Sequence, residues 1–255
     1  MERWAGKIAL VTGASSGIGK ATVGHLVKHN MKVVACARNH AKLKEFCNIW
    51  NKNEQGEVFA VKCDVTSESE VLNMFREIKR KYGVLHVCVN SAGLCHPAPL
   101  LSGTLTEWNS MISTNILGLC LCTREAVKLM ESGGVDDGHV IHINSMSGHR
   151  VKANNPHGYL YTATKHAVTA LGKGLRHELI MRGSRIRVTC ISPGTVETEF
   201  FHRMYHRTPE KANEIQSSLE GLTADDIADA VVYALGTPPR VNVCDIHVKP
   251  LEQKT

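Results

Sequence analysis

The chain has 255 residues, 43% of them hydrophobic, and a formal net charge of +6. That length supports one large α/β domain with a proper core, or at most two small ones. Lys and Arg are scattered among Asp and Glu with no basic face, so nucleic acid is not an expected partner. The longest run without a charged side chain, 82–106, is broken by Asn, Gly and Pro and is no membrane helix.

Residues 1–6 lead straight into charged Lys7, where no signal peptide fits, and a soluble cytoplasmic protein without stable membrane insertion is expected. Residues 7–11 read as a short buried strand. Thr12-Gly13-Ala14-Ser15-Ser16-Gly17-Ile18-Gly19 follows directly, and the apolar spacing from about 18 to 29 is helical. Strand, glycine turn and helix make the βα unit that binds dinucleotides. Gly13 permits the tight turn, Gly17 lets the helix start approach a pyrophosphate, and Gly19 lets the helix pack on the sheet. Free N–H groups of this stretch can receive phosphates, which makes Ser15, Ser16 and Ile18, with the three glycines, cofactor-binding candidates.

The second strand, 32–37, is apolar after its first residue, as a strand covered on both faces should be. Dinucleotide sites often carry an acid near this strand's end to bind the ribose hydroxyls. Ala37 stands there instead, followed by Arg38. A missing carboxylate with a guanidinium in reach suits a 2′-phosphate, so NADP(H) is the expected cofactor. The alternative is that Arg38 covers the rim of an NAD pocket.

A charged helix over 40–51 leads to a third strand, 57–63, closed by Asp64-Val65. Residues 68–80 form a helix with Val71, Leu72, Phe75 and Ile78 toward the sheet. The fourth strand, 85–89, runs into Asn90-Ser91-Ala92-Gly93, whose small residues bring backbone close to a nucleotide; Asn90, Ala92 and Gly93 are further cofactor candidates. Thr104 and Glu107 form a capping box before another helix, and Asn115 falls where it meets a second, more apolar run reaching about Met130. The fifth strand, 140–144, ends at Ser145. A long helix begins at 158–161 and reaches about Arg182. Then come a sixth strand, 185–191, the corner Ser192-Pro193-Gly194, a helix over 225–235 and a short strand over 245–248. Repeated βα units without a linker or repeat predict one Rossmann-type domain over 1–255, a doubly wound parallel sheet with helices on both faces.

Nine cysteines without a C-x-x-C pair read as reduced and mostly packed, and fourteen histidines without H-E-x-x-H give no metal site. The chemistry lies elsewhere. Tyr161 and Lys165 stand four apart, on one face of the long helix, while Ser145 ends a strand and Asn115 comes from a third element. Carbonyl reduction needs a proton donor at the forming alkoxide, and a nearby ammonium favours the tyrosinate. The serine hydroxyl can hold the substrate oxygen. Tyr159 has Ala163 rather than Lys four positions on, and Ser147 sits further into the loop than Ser145.

The T-G-x-x-x-G-x-G turn, Asn90-Ser91-Ala92-Gly93, Asn115, Ser145, Tyr161-Thr162-Ala163-Thr164-Lys165 and Pro193-Gly194 occur in order, and nearly the whole chain resembles the short-chain dehydrogenase/reductase family. The resemblance implies an NADP(H)-dependent alcohol/carbonyl oxidoreductase with Tyr161 as acid/base and Lys165 tuning it and binding the nicotinamide ribose. It implies that Ser145 orients the carbonyl and that Asn115 holds a proton-relay water. Asp64 would lie beside the adenine amino group and Val65 against the ring, although Asp64 could equally cap the next turn. Val196 would meet the carboxamide, Thr198 the phosphates, and Pro193-Gly194 would form the corner beside them. A homodimer or homotetramer is implied too. The runs 144–150 and 190–194 resemble the member 11 subgroup, which includes 17-beta-hydroxysteroid and farnesol-dehydrogenase-like members.

One departure stands out. Tyr161 lies sixteen positions after Ser145, a longer spacing than the family usually has, which predicts an extended active-site loop over 146–158. A substrate lid is predicted over 199–219, with Phe200, Phe201, Met204 and Tyr205 lining an apolar cleft or packing the lid itself, and His202, Arg203, His206 and Arg207 outward or toward a polar substrate. An apolar or carbonyl-containing small molecule is the expected substrate: a steroid, a terpenoid alcohol or aldehyde, a retinoid or a small dicarbonyl. An epimerase or dehydratase, and a noncatalytic NADP-binding scaffold, are the competing functions.

Overall fold

In the computed structural model, seven parallel strands form one sheet in the order β3-β2-β1-β4-β5-β6-β7. The structure describes residues 1–53, 56–206, 208–217 and 221–253. The chain begins in the middle with β1 (Ile8–Thr12) and moves outward through β2 (Lys32–Ala37) and β3 (Glu57–Lys62). It then returns to the other side of β1 for β4 (Val87–Asn90), β5 (His139–Ile143), β6 (Arg187–Pro193) and β7 (Asp245–Val248). The reversal between β1 and β4 opens a crevice at the carboxyl ends of the strands, where open α/β sheets bind ligands.

Side chains alternate between the two faces of each strand, so a strand buried on both sides feeds two cores. Ala9, Val11, Val33 and Ala35 enter one core. There they meet Val23 and Leu26 of α1 (Gly17–Lys28) and Ile227 and Val231 of α9 (Ala224–Gly236). Leu10, Val34 and Cys36 enter the other, with Met74 and Ile78 of α3 (Glu68–Tyr82), Cys122 and Ala126 of α5 (Leu119–Ser132) and Leu179 of α6 (Tyr159–Met181). Each Val, Leu, Ile or Met among them stabilises the fold by roughly 1.5–3 kcal/mol. All nine cysteines are free thiols, seven of them buried.

Helix ends follow their residues. Ser67 caps α3 by accepting from the Glu70 N–H, and Gly83 ends it at φ +76°, a left-handed turn that glycine adopts without strain. The Thr104–Glu107 capping box is formed at α4 (Leu105–Ile112). Between α4 and α5 lies a turn of π-helix, Ser113–Gly118, which periodicity does not reveal. The remaining helices are α2 (His40–Asn53), the short α7 (Phe200–Met204) and α8 (Pro209–Ser217). The predicted lid thus holds two helices; its residues Arg207, 218 and 219, like Lys254 at the tail, lie outside the described residues. No helix among the described residues is long and apolar enough to cross a membrane.

Candidate active site

The glycine turn closes tightly on its neighbours. Gly13, at φ +68°, leaves 2.9 Å between a would-be Cβ and the backbone of Ala92, so any side chain would push the two loops apart. A Cβ on Gly19 would run into the Gly13 carbonyl. Thr12, quoted only as part of the motif in the sequence, locks this junction: its Oγ1 accepts the N–H groups of Ser91 and Ala92, both at 3.1 Å. Ser16 is the N-cap of α1 in extended backbone and makes no side-chain cap, and the first turn holds no acid. The positive end of α1 therefore faces the crevice uncompensated. Ser15 is nearly buried, Ile18 packs against the core, and Thr198 lies against Gly17, 3.1 Å from where its Cβ would be.

Asn90 turns its side chain away from the crevice. It donates to Thr123 Oγ1 at 3.0 Å and lies 3.2 Å from His142 Nδ1, so only its backbone is presented to a nucleotide. Burial pushes His142 down to about 4, which keeps this network neutral. Asp64 accepts from the N–H and hydroxyl of Thr66 through Oδ1, the turn-capping role read as its alternative. Val65 is buried, with Gly118 close against it. Arg38 is exposed at the end of β2.

At the other end of the crevice the four chemical residues converge. Ser145 stands two positions past β5 with its side chain close enough to the Tyr161 phenol to act on it, so the long loop does bring them together. That loop is pinned from several sides: Asn144 Nδ2 donates to Thr169 Oγ1 at 2.9 Å, Thr169 donates to the Gly148 carbonyl at 2.9 Å, and His149 lies 2.8 Å from Ser192 Oγ. Lys165 is buried, donates to the Ile143 carbonyl at 3.0 Å and holds its ammonium 5.7 Å from the centre of the Tyr161 ring. Asn115, in the π turn, accepts from Leu94 N–H at 2.9 Å and donates to the Leu94 carbonyl at 2.9 Å and Thr164 Oγ1 at 3.1 Å. Gly93 fits between them, its would-be Cβ 3.5 Å from Asn115 Oδ1 and 3.9 Å from Lys165 Nζ.

Burial dominates the electrostatics here. It pushes the Tyr161 phenol well above its ordinary value and the buried Cys95 thiol adds to this, while the Ser145 side chain works in the other direction. Burial also draws Lys165 down to about 8. Cys95 was not singled out in the sequence; its own thiol is pushed up to about 12 by burial.

Tyr161 lies at the edge of a third apolar cluster, separate from the two cores. Cys95, Ala98, Met111, Met204 and Tyr205 form its buried part, with Trp108, Phe200 and Phe201 packed on it. The Phe200 ring is 5.7 Å from that of Tyr161. His202, Arg203 and His206 are exposed.

Past β6, Val196 bridges Leu222, and the bridge uses the Glu197 N–H, the Leu222 N–H and the Thr195 carbonyl. Because extended backbone alternates its polar groups, Val196 turns its own N–H and C=O to the opposite side. Pro193 closes β6, and Gly194 is covered by the tail: Gln253 Oε1 accepts from Thr195 N–H at 2.9 Å. No residue spacing foretells this tail contact.

A sheet with its reversal at a glycine turn, and a Ser–Tyr–Lys–Asn group beside it, define the class. A family model described as short chain dehydrogenase matches residues 7–209, and the chain belongs to that family of oxidoreductases. It is 46% identical over 254 residues to dehydrogenase/reductase SDR family member 11 of Gallus gallus, covering 99% of each chain. It is 42% identical over 255 residues to the farnesol dehydrogenase of Aedes aegypti, covering the whole of both. Among solved structures, the closed form of a serine dehydrogenase complexed with NADP+ superposes with a TM-score of 0.88 at 30% identity, over 97% of this chain and 96% of that one.

Proposed function

We propose that the chain is an NADP(H)-dependent oxidoreductase that interconverts alcohols and carbonyls on apolar substrates. The observation that carries this is the position of Tyr161, beside the Ser145 side chain on one side and packed against an apolar cluster on the other. A proton-transferring phenol at the wall of an apolar cleft suits a carbonyl on a hydrophobic skeleton. The crevice fits a dinucleotide: glycines that let the loops around it close tightly, an uncapped helix start, and Val196 backbone turned outward at the nicotinamide end. Arg38 with no acid at the end of β2 favours a 2′-phosphate. The solved relative's NADP+ complex and the insect relative's name support the cofactor and an isoprenoid-like substrate respectively.

When bound, the reduced nicotinamide supplies the hydride. Ser145 holds the substrate oxygen, and Tyr161 protonates it as negative charge develops there. Lys165, fixed on the Ile143 carbonyl, keeps a positive charge near the phenol and would bind the nicotinamide ribose. Asn115 anchors the Leu94 and Thr164 segments and would hold a relay water near Lys165. In the oxidative direction the same proton returns through Tyr161. A groove of about 430 Å³ between α5 and α6, lined by Leu119, Cys120, Leu175 and Leu179, is where a second subunit would pack in a homodimer or homotetramer.

The test follows nicotinamide absorbance with steroid ketones, farnesal, retinal and simple dicarbonyls, against both NADPH and NADH. Saturable turnover with NADPH on the apolar substrates is the expected result. Preference for NADH would refute the cofactor assignment, and turnover confined to small dicarbonyls would refute the apolar one.

A further inference from the structure

The start of the lid is tied to the adenosine end of the crevice by a chain of ionic contacts. Glu199, the residue before α7, places Oε1 2.6 Å from Lys42 Nζ and Oε2 2.8 Å from Arg203 Nη2. The same Arg203 nitrogen donates to Ser16 Oγ at 2.6 Å. Ser16 caps α1 without using its hydroxyl on the helix, so that hydroxyl is available to the lid. Lys42 lies in the first turn of α2, its N–H held by Asn39 Oδ1 at 3.1 Å, four positions after Arg38. One carboxylate therefore sits between the uncapped helix start and the end of β2, the two places that bracket a ribose and its substituents in this fold.

Charge makes the arrangement specific. Lys42, by hydrogen bond, and then Arg203 hold the Glu199 carboxyl below its usual range, so it is the anion of the cluster. Two cations thus hold one carboxylate, and Arg38, exposed four positions before Lys42, adds a third cation at the end of β2. Among the described residues Arg38 has no ionic partner. Such a cluster matches a phosphate monoester, which carries up to two negative charges and accepts forked hydrogen bonds from arginine.

We propose that Glu199 stands in for the cofactor's 2′-phosphate: the phosphate replaces it between Lys42 and Arg203, so recognition of the phosphate and placement of the lid become one event. This rests on the NADP(H) reading above. Arg203 then becomes a phosphate ligand delivered by the lid, and Lys42 its counterpart on the body. Glu199 is next to Phe200, whose ring lies against Tyr161. Thr198, on its other side, packs on Gly17. A change of partner at Glu199 is thus transmitted over one residue to the wall of the substrate cleft. A cofactor without the 2′-phosphate leaves the carboxylate clamp in place.

The experiment measures binding of 2′,5′-ADP and of 5′-ADP by calorimetry, fragments that lack the nicotinamide and report no turnover. In the intact chain 2′,5′-ADP binds more tightly, and it slows hydrogen exchange over residues 199–206 where 5′-ADP does not. Arg203→Gln and Lys42→Gln each weaken 2′,5′-ADP about tenfold, the size of one charge-assisted hydrogen bond, and leave 5′-ADP within about twofold. Glu199→Gln tightens 2′,5′-ADP and leaves 5′-ADP unchanged. If the intact chain does not prefer 2′,5′-ADP and Arg38→Ala has no effect, the NADP(H) reading falls and this inference with it. If the preference exists and Arg38→Ala removes it, while the Arg203, Lys42 and Glu199 variants bind as the intact chain does, this inference alone is overturned.

Discussion

At the catalytic end of the crevice the anchoring polar groups are buried and fixed by hydrogen bonds: Asn115 holds the Leu94 backbone and Thr164, and Lys165 gives one of its three N–H donors to the Ile143 carbonyl. At the adenosine end Lys42 and Arg203 share the Glu199 carboxylate near solvent, and Arg38 is exposed without an ionic partner among the described residues. Buried groups are held to one geometry, and a charge there is shifted far from its ordinary value, as Lys165 is to about 8. Exposed charges stay ionised and can change partners at little cost, since surface ion pairs are worth only about 0–1 kcal/mol. Chemistry needs the first arrangement and recognition of an arriving anion needs the second.

The sharpest way to break this comparison is at Tyr161. Tyr161→Phe removes the proton donor while keeping the ring on Phe200. Turnover falls by roughly 10²–10⁴-fold, as for loss of a general acid. NADPH affinity, measured by fluorescence titration, stays near that of the intact chain. Near-normal turnover would end the assignment of Tyr161 as acid/base.

Lys165 tests the cost of burial. Its ammonium is desolvated, and a shift from 10.5 to about 8 corresponds to roughly 3 kcal/mol against the folded state at neutral pH. Because the folded value is the lower one, the unfolded chain binds more protons between the two, and stability rises with pH across that window. Lys165→Met therefore abolishes turnover yet raises stability to denaturant by about 1–3 kcal/mol at pH 7. The gain shrinks as pH approaches 10.5. In the intact enzyme the reductive kcat/KM declines as pH rises past about 8 and the ammonium is lost. A variant less stable than the intact chain at pH 7 would show that the lysine's contacts outweigh its desolvation.

The smallest effect separates the two ends by salt. At ionic strengths where the screening length drops to several ångströms, the exposed cations lose reach and the buried site does not. Raising salt should increase the KM for NADPH several-fold, with kcat at saturation little changed. An equal effect on both would mean that the two ends are not electrostatically distinct.

Much of the fold is legible because parallel strands covered on both faces are short apolar runs between turn residues, as 32–37 shows, buried after its first residue. The glycine turn and the Tyr161–Lys165 pair are legible for a similar reason: each is local, and its spacing alone places it on one turn or one helix face. Asn90 is harder, since which way its side chain points depends on the strand ending there and on His142 two strands' worth of sequence away. The Ser145–Tyr161 contact depends on Asn144, Thr169, His149 and Ser192 holding the loop, and no spacing rule encodes those four. The Glu199–Lys42 pair joins positions 157 residues apart, and the Gln253 contact comes from a tail that composition describes only as polar.

The π turn at Ser113–Gly118 has a further consequence for how this chain tolerates insertions and deletions. A π turn accommodates one residue more than an α turn. Deleting one residue within 113–118 would let α4 and α5 run on as continuous α-helix with little change of phase, because the wide turn already absorbs the extra residue. Leu119, Cys120 and Arg124 would keep their place on the outer groove. Asn115 would lose its hold on Leu94 in the same step. A single absorbed residue thus shapes the inner chemistry without turning the outer helical surface, so shortening this turn should disturb catalysis and spare assembly.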